Sequence, residues 1–228
     1  MSEAHGITPE LFSFLEDLRS NNERAWFESN QARYERHVRE PLLAFTASLQ
    51  EPLAEISPSI LAIPKKQGGS LFRIHRDVRF SKDKSPYKNW AALQFRHEAA
   101  KDVHAPGFYL HFEPGNVLAA AGIWRPARPE LDAVRQAMDD DPDGWTGMRG
   151  AVEAAGWSFG GEALKRVPRG YAPEHVLAGE LKLKDYVVSV PLSEEQVCRP
   201  DFLDEYVELC RSAAPLPAYL CGVLGLTW

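Results

Sequence analysis

The sequence predicts an α+β fold: a mostly antiparallel central sheet flanked by N-terminal and C-terminal helices, in one domain over residues 1–228. Three observations predict it. Apolar residues recur at helical spacing up to Leu53. Between Leu71 and Trp124 they switch to alternation, broken only by short Pro/Gly/Asn links. Helical spacing then returns and closes the chain. Strands joined by short links pair antiparallel, because a parallel pair needs a long crossover.

Thr8 stands as an N-cap with Pro9 at the first helical position, and Leu11, Phe12, Phe14, Leu15 and Leu18 follow on one face. Asn21 or Asn22 caps a second helix carrying Trp26, Phe27, Tyr34 and Val38. Pro41 either kinks that helix or begins the next, which runs through Leu42, Phe45, Leu49 and Leu53. Residues 57–70 (SPSILAIPKKQGGS) read as a loop. In 72–80 the spacing predicts a strand, with Phe72, Ile74, Val78 and Phe80 on one side and Arg73, His75, Asp77 and Arg79 on the other. Arg76 falls on the apolar side, so a bulge or a buried, paired arginine is expected there. Further strands follow over 91–97, 107–113 and 117–124, the last two joined by the turn Pro114-Gly115-Asn116. Helices are expected over 129–139 and 142–155, and a short strand over 157–159. Residues 160–175 are irregular, and DYVVSVPL gives a strand over 185–192. Asp201 begins a helix through Phe202, Tyr206 and Cys210, and an apolar helix covers 215–224.

Composition excludes several classes. With 44% hydrophobic and 25% charged residues the chain is an ordinary globular one, able to fold without disulfides or a structural metal. Three cysteines with no CxxC pair point to reduced thiols and a cytoplasmic location, and Cys210 reads as a small core hydrophobe. The acidic N-terminal segment is not a secretory signal, and no apolar run reaches membrane-spanning length, so no membrane partner is expected. Oligomeric state is not legible.

The chain carries −6 overall, yet residues 65–88 hold eight Lys/Arg against two Asp, a local +6 that leaves −12 for the rest. Arg73, Arg76, Arg79, Lys82, Lys84 and Lys88, with Ser85 and Tyr87, surround a strand-to-loop unit. Guanidinium forks, mobile ammonium groups and turn amides suit an oxyanion such as phosphate or carboxylate. Ser85-Pro86 could also open a short helix whose N-terminus adds partial positive charge.

On the strand 107–113, Tyr109, His111 and Glu113 share one face. His75-x-Asp77 and His111-x-Glu113 are both imidazole–carboxylate pairs at strand spacing. If their strands lie in one sheet with these faces aligned, His75, Asp77 and His111 form an acid–base group, with Tyr87 and Tyr109 as donors. His97 could extend the group to a metal site. Neighbouring arginines oppose a cation and no HExxH spacing exists, so no metal is assigned and cofactors stay unknown. Gly68-Gly69 and Gly160-Gly161 lack the setting of a dinucleotide loop. Trp90, Trp124, Trp145 and Trp157 read as core or pocket wall. Ala119–Gly122 would let another element approach the sheet closely, and helix packing is the favoured occupant.

FRIHRDVRFSKDKSPYKNW and GFYLHFEPGNVLAAAGIWRP, with a Leu131/Arg135 helix, resemble the domain of unknown function 2461 family of conserved hypothetical bacterial and fungal proteins. The string RDxRFSxDKSPYK falls on Arg76 to Lys88, and the resemblance extends over nearly the whole chain. It departs at Ala119–Gly122, where family members often have a glycine cluster. The resemblance implies one α+β domain and supplies no reaction, so whether the chain is an enzyme stays open. The leading expectation is an anionic small-molecule ligand at residues 73–88. A nucleic-acid-binding module using the same block is the first alternative, and a structural or protein-interaction role in which the block satisfies acids of this chain or a partner is the second.

Overall fold

The computed structural model describes residues 6–99 and 104–228. Helices α1 (Pro9–Ser20), α2 (Arg24–Tyr34), α3 (Glu40–Ser48) and α4 (Gln50–Ile56) lead into β1 (Ile60–Leu61), β2 (Ala91–His97), β3 (Gly107–Glu113) and β4 (Asn116–Ile123). Then come α5 (Arg128–Asp140), α6 (Pro142–Ala154), β5 (Ser158–Gly160), α7 (Ala178–Leu181), β6 (Tyr186–Leu192), α8 (Glu194–Val197), α9 (Phe202–Ala213) and α10 (Pro215–Val223). The strands form one sheet in the order β1-β2-β3-β4-β6-β5, every neighbouring pair antiparallel. The expected α+β class therefore holds, and most predicted helices and strands lie within a residue or two of their expected ends. The loop reading of 57–70 missed β1, whose two residues are too few to show a period.

Pro41 does more than start a helix. It supplies no N–H, and its ring crowds the carbonyl four residues back. The chain passes from α2 to α3 through one π turn at Glu35–Arg39, in which the Glu40 N–H donates to the Glu35 carbonyl. The asparagine caps expected for α2 give way to Glu23 at that position. Asn22 instead reaches across to Tyr87, donating to its carbonyl at 3.0 Å and accepting from its N–H at 3.0 Å.

Period-two alternation gives the sheet two unlike faces. Phe95, Phe108, Leu110, Phe112, Ala119, Ala121 and Val188 point inward and are essentially fully buried. Helices seal this face: α10 and α9 lie against β4, α1 lies against β3, and Phe45, Phe95, Phe202 and Tyr206 form a ring cluster at 5.8–6.1 Å centroid spacings. Cys210 is buried in this core, as expected of a small hydrophobe.

The other face carries Gln94 and Arg96 from β2, Tyr109, His111 and Glu113 from β3, and Ala120 and Gly122 from β4. Register aligns Arg96 with Gly107, Gly107 with Gly122, Gly122 with Val187, and Val187 with Gly160, one straight row across four strand boundaries. Gly122 sits at φ +122°, and a Cβ there would lie 2.0 Å from the Tyr186 carbonyl oxygen. A Cβ on Gly107 would lie 2.2 Å from that of Phe95. Strand packing itself therefore leaves the row bare at both positions.

Gly122→Ala is expected to lower stability by at least about 2 kcal/mol, read by urea unfolding, because the left-handed backbone and the carbonyl contact act together. Gly160→Ala, with nothing within 4 Å of its Cβ, is expected to stay within about 0.5 kcal/mol of the parent chain.

Candidate functional site

Residues 72–80 are not a strand, which corrects the sequence expectation. Segment 70–72 lies along the edge of β2, with Leu71 bridged to Leu93 and the Phe72 N–H donating to the Ala92 carbonyl at 3.0 Å. The chain then leaves the sheet as a two-legged arm. Its legs meet at a single His75–Tyr87 bridge, flanked by Arg76 N–H to Pro86 O at 2.9 Å and Lys88 N–H to Ile74 O at 2.8 Å. Two aspartates end the pairing there. Asp77 accepts from the Arg79 N–H at 3.2 Å and Asp83 from the Ser85 N–H at 2.9 Å, so side chains capture amides that a ladder would need. Ser85-Pro86 opens no helix. The alternation also fails as a guide to burial, since Ile74 is buried while Phe80 is 95% exposed at the arm's tip.

The expected acid–base group does not assemble. His111 pairs across the sheet with Ala92 and Leu118, not with any residue of the arm. His75 packs instead against Phe27 and Tyr87, at 6.3 and 5.2 Å between ring centroids. Asp77 is held at the tip by the Arg79 guanidinium, at 3.0 and 2.7 Å, which draws its carboxyl down to about 2. His97, at the far end of β2, contacts the Thr227 carbonyl at 2.6 Å. Among the described residues no cluster of three or more His, Cys, Asp or Glu could hold a metal.

The basic block divides into two sets. Arg76 is half-buried and paired with Asp83, as its position on the apolar side led us to expect, and Arg79 is paired with Asp77. Lys84 donates to the Val78 carbonyl at 2.9 Å. Lys88 donates to the Arg73 carbonyl at 2.6 Å and lies over the Phe72 and Trp90 rings, 5.5 and 4.9 Å from their centroids. Lys82 is exposed on the tip.

Arg73 faces elsewhere. With Arg39, Lys66, Arg96 and His75 it lines a cleft of about 520 Å³ whose wall, among the described residues, contains no Asp or Glu. Each cation comes from a different place in the chain: Arg39 from the π turn, Lys66 from the loop before β2, Arg73 from the root of the arm and Arg96 from β2. Gly68, Gly69 and Ser70 contribute the rim. Arg39 is paired with Glu35, whose other oxygen lies 3.9 Å from Lys66. Among the described residues, neither Arg73 nor Arg96 enters an ion pair. Burial, then the charges of Arg73, Arg39 and Lys88, push the His75 imidazole below its ordinary range. An anion among these groups would oppose that shift.

A family model described as "Conserved hypothetical protein (DUF2461)" matches residues 10–219, from α1 into α10. The chain belongs to the DUF2461 family. No curated protein and no solved structure matches it. The arm of this DUF2461 protein, which bears the string from Arg76 to Lys88, stands beside the cleft, while Arg39 and Arg96 lie outside that string. Sequence reading missed both: Arg39 looks like one more charge on a helix, and Arg96 like an outward residue of an alternating strand. Only tertiary structure brings them to Arg73.

A second hollow, of about 640 Å³, adjoins the cleft, and Phe72 and Gln94 line both. Trp90, Tyr109 and Trp124 stand around it, and Gly107, Ala120, Gly122, Gly160 and Ser189 form its floor. Trp90 and Trp124 are thus wall, whereas Trp145 and Trp157 are core, 0% and 3% exposed. The Ala119–Gly122 run serves both sides of the sheet. Ala119 and Ala121 meet the helices, as expected, and Ala120 and Gly122 open the hollow.

Beside it the Tyr109 hydroxyl lies 2.8 Å from His111 Nδ1, and His111 Nε2 lies 3.3 Å from Glu113. A carboxylate only accepts, so Nε2 carries the ring proton and Nδ1 accepts from the phenol. Burial lowers the His111 pKa against the opposing pull of Glu113, and burial with the Glu113 charge raises that of Tyr109. Asn89 holds the other Glu113 oxygen at 3.0 Å. The chain of bonds presents a neutral phenol at the hollow.

Burial, with Arg73 beside it, depresses Lys88 to about 8. An unfolded lysine titrates near ~10.4, so the unfolded chain holds this proton more tightly than the folded one. The Lys88 contribution to stability is therefore expected to be flat below pH 8 and to rise as pH climbs from 8 towards ~10. Urea unfolding at pH 7.5 and 9.5 of the parent chain and of Lys88→Met tests this, with the rise smaller in the variant.

Proposed function

We propose that this protein binds a small anionic ligand, bearing phosphate or carboxylate, in the cleft among Arg39, Lys66, Arg73 and Arg96. One observation carries the reading. Four cationic side chains from four separate segments converge on a cavity whose wall, among the described residues, holds no acid, in a chain whose net charge is −6. Glu35 pairs with Arg39 and lies 3.9 Å from Lys66, whereas Arg73 and Arg96, unlike Arg76 and Arg79, enter no ion pair among the described residues. The site so proposed shifts from the arm's tip to its root. It keeps Arg73, places His75 at its edge, and has Lys88 behind it through the Arg73 carbonyl. Arg76 and Arg79 leave the ligand set and behave as the structural alternative describes.

Titration with inorganic phosphate and pyrophosphate, followed calorimetrically, tests this. Arg73→Ala and Arg96→Ala are each expected to weaken binding about tenfold or more, the value of a charge-assisted hydrogen bond. Arg79→Ala is expected to leave affinity unchanged. Loss of binding in Arg79→Ala with none in Arg96→Ala would place the anion at the tip and defeat the cleft reading.

The nucleic-acid alternative is favoured by a different observation. Phe80 is 95% exposed, with the Arg79 guanidinium 5.8 Å from its ring centre and Lys82 and Lys84 nearby, and exposed rings among cations suit stacked single-stranded bases. Under that reading, affinity for a single-stranded oligonucleotide falls steeply with salt and drops in Phe80→Ala. Absence of binding at low salt removes it.

A further inference from the structure

The cleft and the hollow lie side by side, bordered in common by Phe72 and Gln94, and we read them as one groove. Arg96 stands at one end of the row that runs through Gly107, Gly122 and Val187 to Gly160. From Arg96 to Val187 is three strand spacings, about 14 Å. That is far longer than an inorganic anion and is the scale of a mononucleotide. The floor along this path is glycine backbone and small side chains, and the sides are the rings of Phe72, Trp90 and Trp124.

The far end has a different polarity. Asp185 lines the hollow, is 6% exposed, and accepts from the Arg125 N–H through Oδ1. Among the described residues it enters no ion pair and makes no other hydrogen bond. A buried carboxylate is costly unless donors reach it. The groove thus offers four cations at one end, a flat apolar bed in the middle and, at the other, a buried acceptor with Arg125 and Glu162 beside it. An aliphatic tail fits the middle and fails at Asp185. A heteroaromatic ring with an amino edge satisfies all three.

We propose, resting on the anion reading above, that the ligand is a heteroaromatic monophosphate of the nucleoside monophosphate type. Its phosphate lies among Arg39, Arg73 and Arg96, its ring lies over the glycine row beside Phe72 and Trp90, and its amino edge faces Asp185. Tyr109, whose proton goes to His111 Nδ1, faces the middle of this path with its oxygen free to accept from a sugar hydroxyl or a ring N–H.

The test compares adenosine monophosphate, ribose 5-phosphate, inorganic phosphate and decanoate by calorimetry on the full chain. Ring burial of this kind is expected to make adenosine monophosphate bind about tenfold or more tighter than ribose 5-phosphate. Ala120→Leu fills the floor and is expected to erase that advantage while leaving ribose 5-phosphate unchanged. Gly160→Leu does the same from the far end of the floor, where no described atom lies within 4 Å of the new Cβ, and it stands in should Ala120→Leu fail to fold. If adenosine monophosphate gains nothing over ribose 5-phosphate, or decanoate matches it, this proposal is overturned while the anion reading survives. If neither the phosphate compounds nor decanoate binds at all, both fall.

Discussion

Everything at the site depends on the register of one antiparallel sheet. Alternation forces each strand to serve two surfaces at once, and on β3 the inward Phe108, Leu110 and Phe112 fix where Tyr109, His111 and Glu113 must stand. A slip of one residue would exchange the two sets, exposing two rings and a leucine and turning an imidazole–carboxylate pair into the core. Core packing therefore holds the outer face in place without touching it. The same register brings Gly107, Gly122 and Gly160, distant in sequence, onto one line that begins at Arg96.

Charge is organised by a different rule. On the arm, two arginines are neutralised by nearby aspartates: Arg79 by Asp77, and Arg76 by Asp83 seven residues on. Such local pairs tie the arm's tip together and leave little field for an outside anion. Arg73 and Arg96 reach the cleft from separate segments and, among the described residues, meet no carboxylate there. Contacts between distant segments are the ones selection can shape for a ligand without altering a local turn, so the unpaired set is the informative one. Glu35 completes the contrast. It is half-buried beside Arg39, steadies that side chain, and stays out of the cleft wall.

Much of this architecture was legible in the sequence because it rests on local periodicity. Pro9, the Phe12/Phe14 spacing, the Pro114-Gly115-Asn116 turn and the inward alternation of β2, β3 and β4 each report their own element. The basic block was legible as composition, and the family was legible in the string from Arg76 to Lys88. Three things were not. The arm imitated a strand because arginines alternate with apolar residues between Phe72 and Phe80, yet Asp77 and Asp83 divert the amides that would pair. The π turn needs Pro41 and its surroundings together. The cleft needs the tertiary meeting of Arg39, Arg73 and Arg96, none of which is unusual where it stands in the chain. Ala119–Gly122 was half legible: small residues announce a close approach, but only the fold shows that two faces use it.

Phe72 joins these parts into one device. Its ring borders both cavities, meets Trp90 and Tyr109 edge-on at 6.1 Å, and lies under the Lys88 ammonium, which in turn holds the carbonyl of Arg73. A group that occupies the hollow presses on Phe72 and Trp90, and hence on the two rings beneath Lys88. A group that neutralises Arg73 removes one of the two causes that depress the Lys88 pKa, leaving burial alone. Occupancy at either end is therefore felt by the same half-buried lysine, through ring contact in one case and through charge in the other. Two subsites that share a wall and a titrating side chain need no moving domain to become coupled, because the change in free energy is confined to a few side chains packed on a rigid sheet.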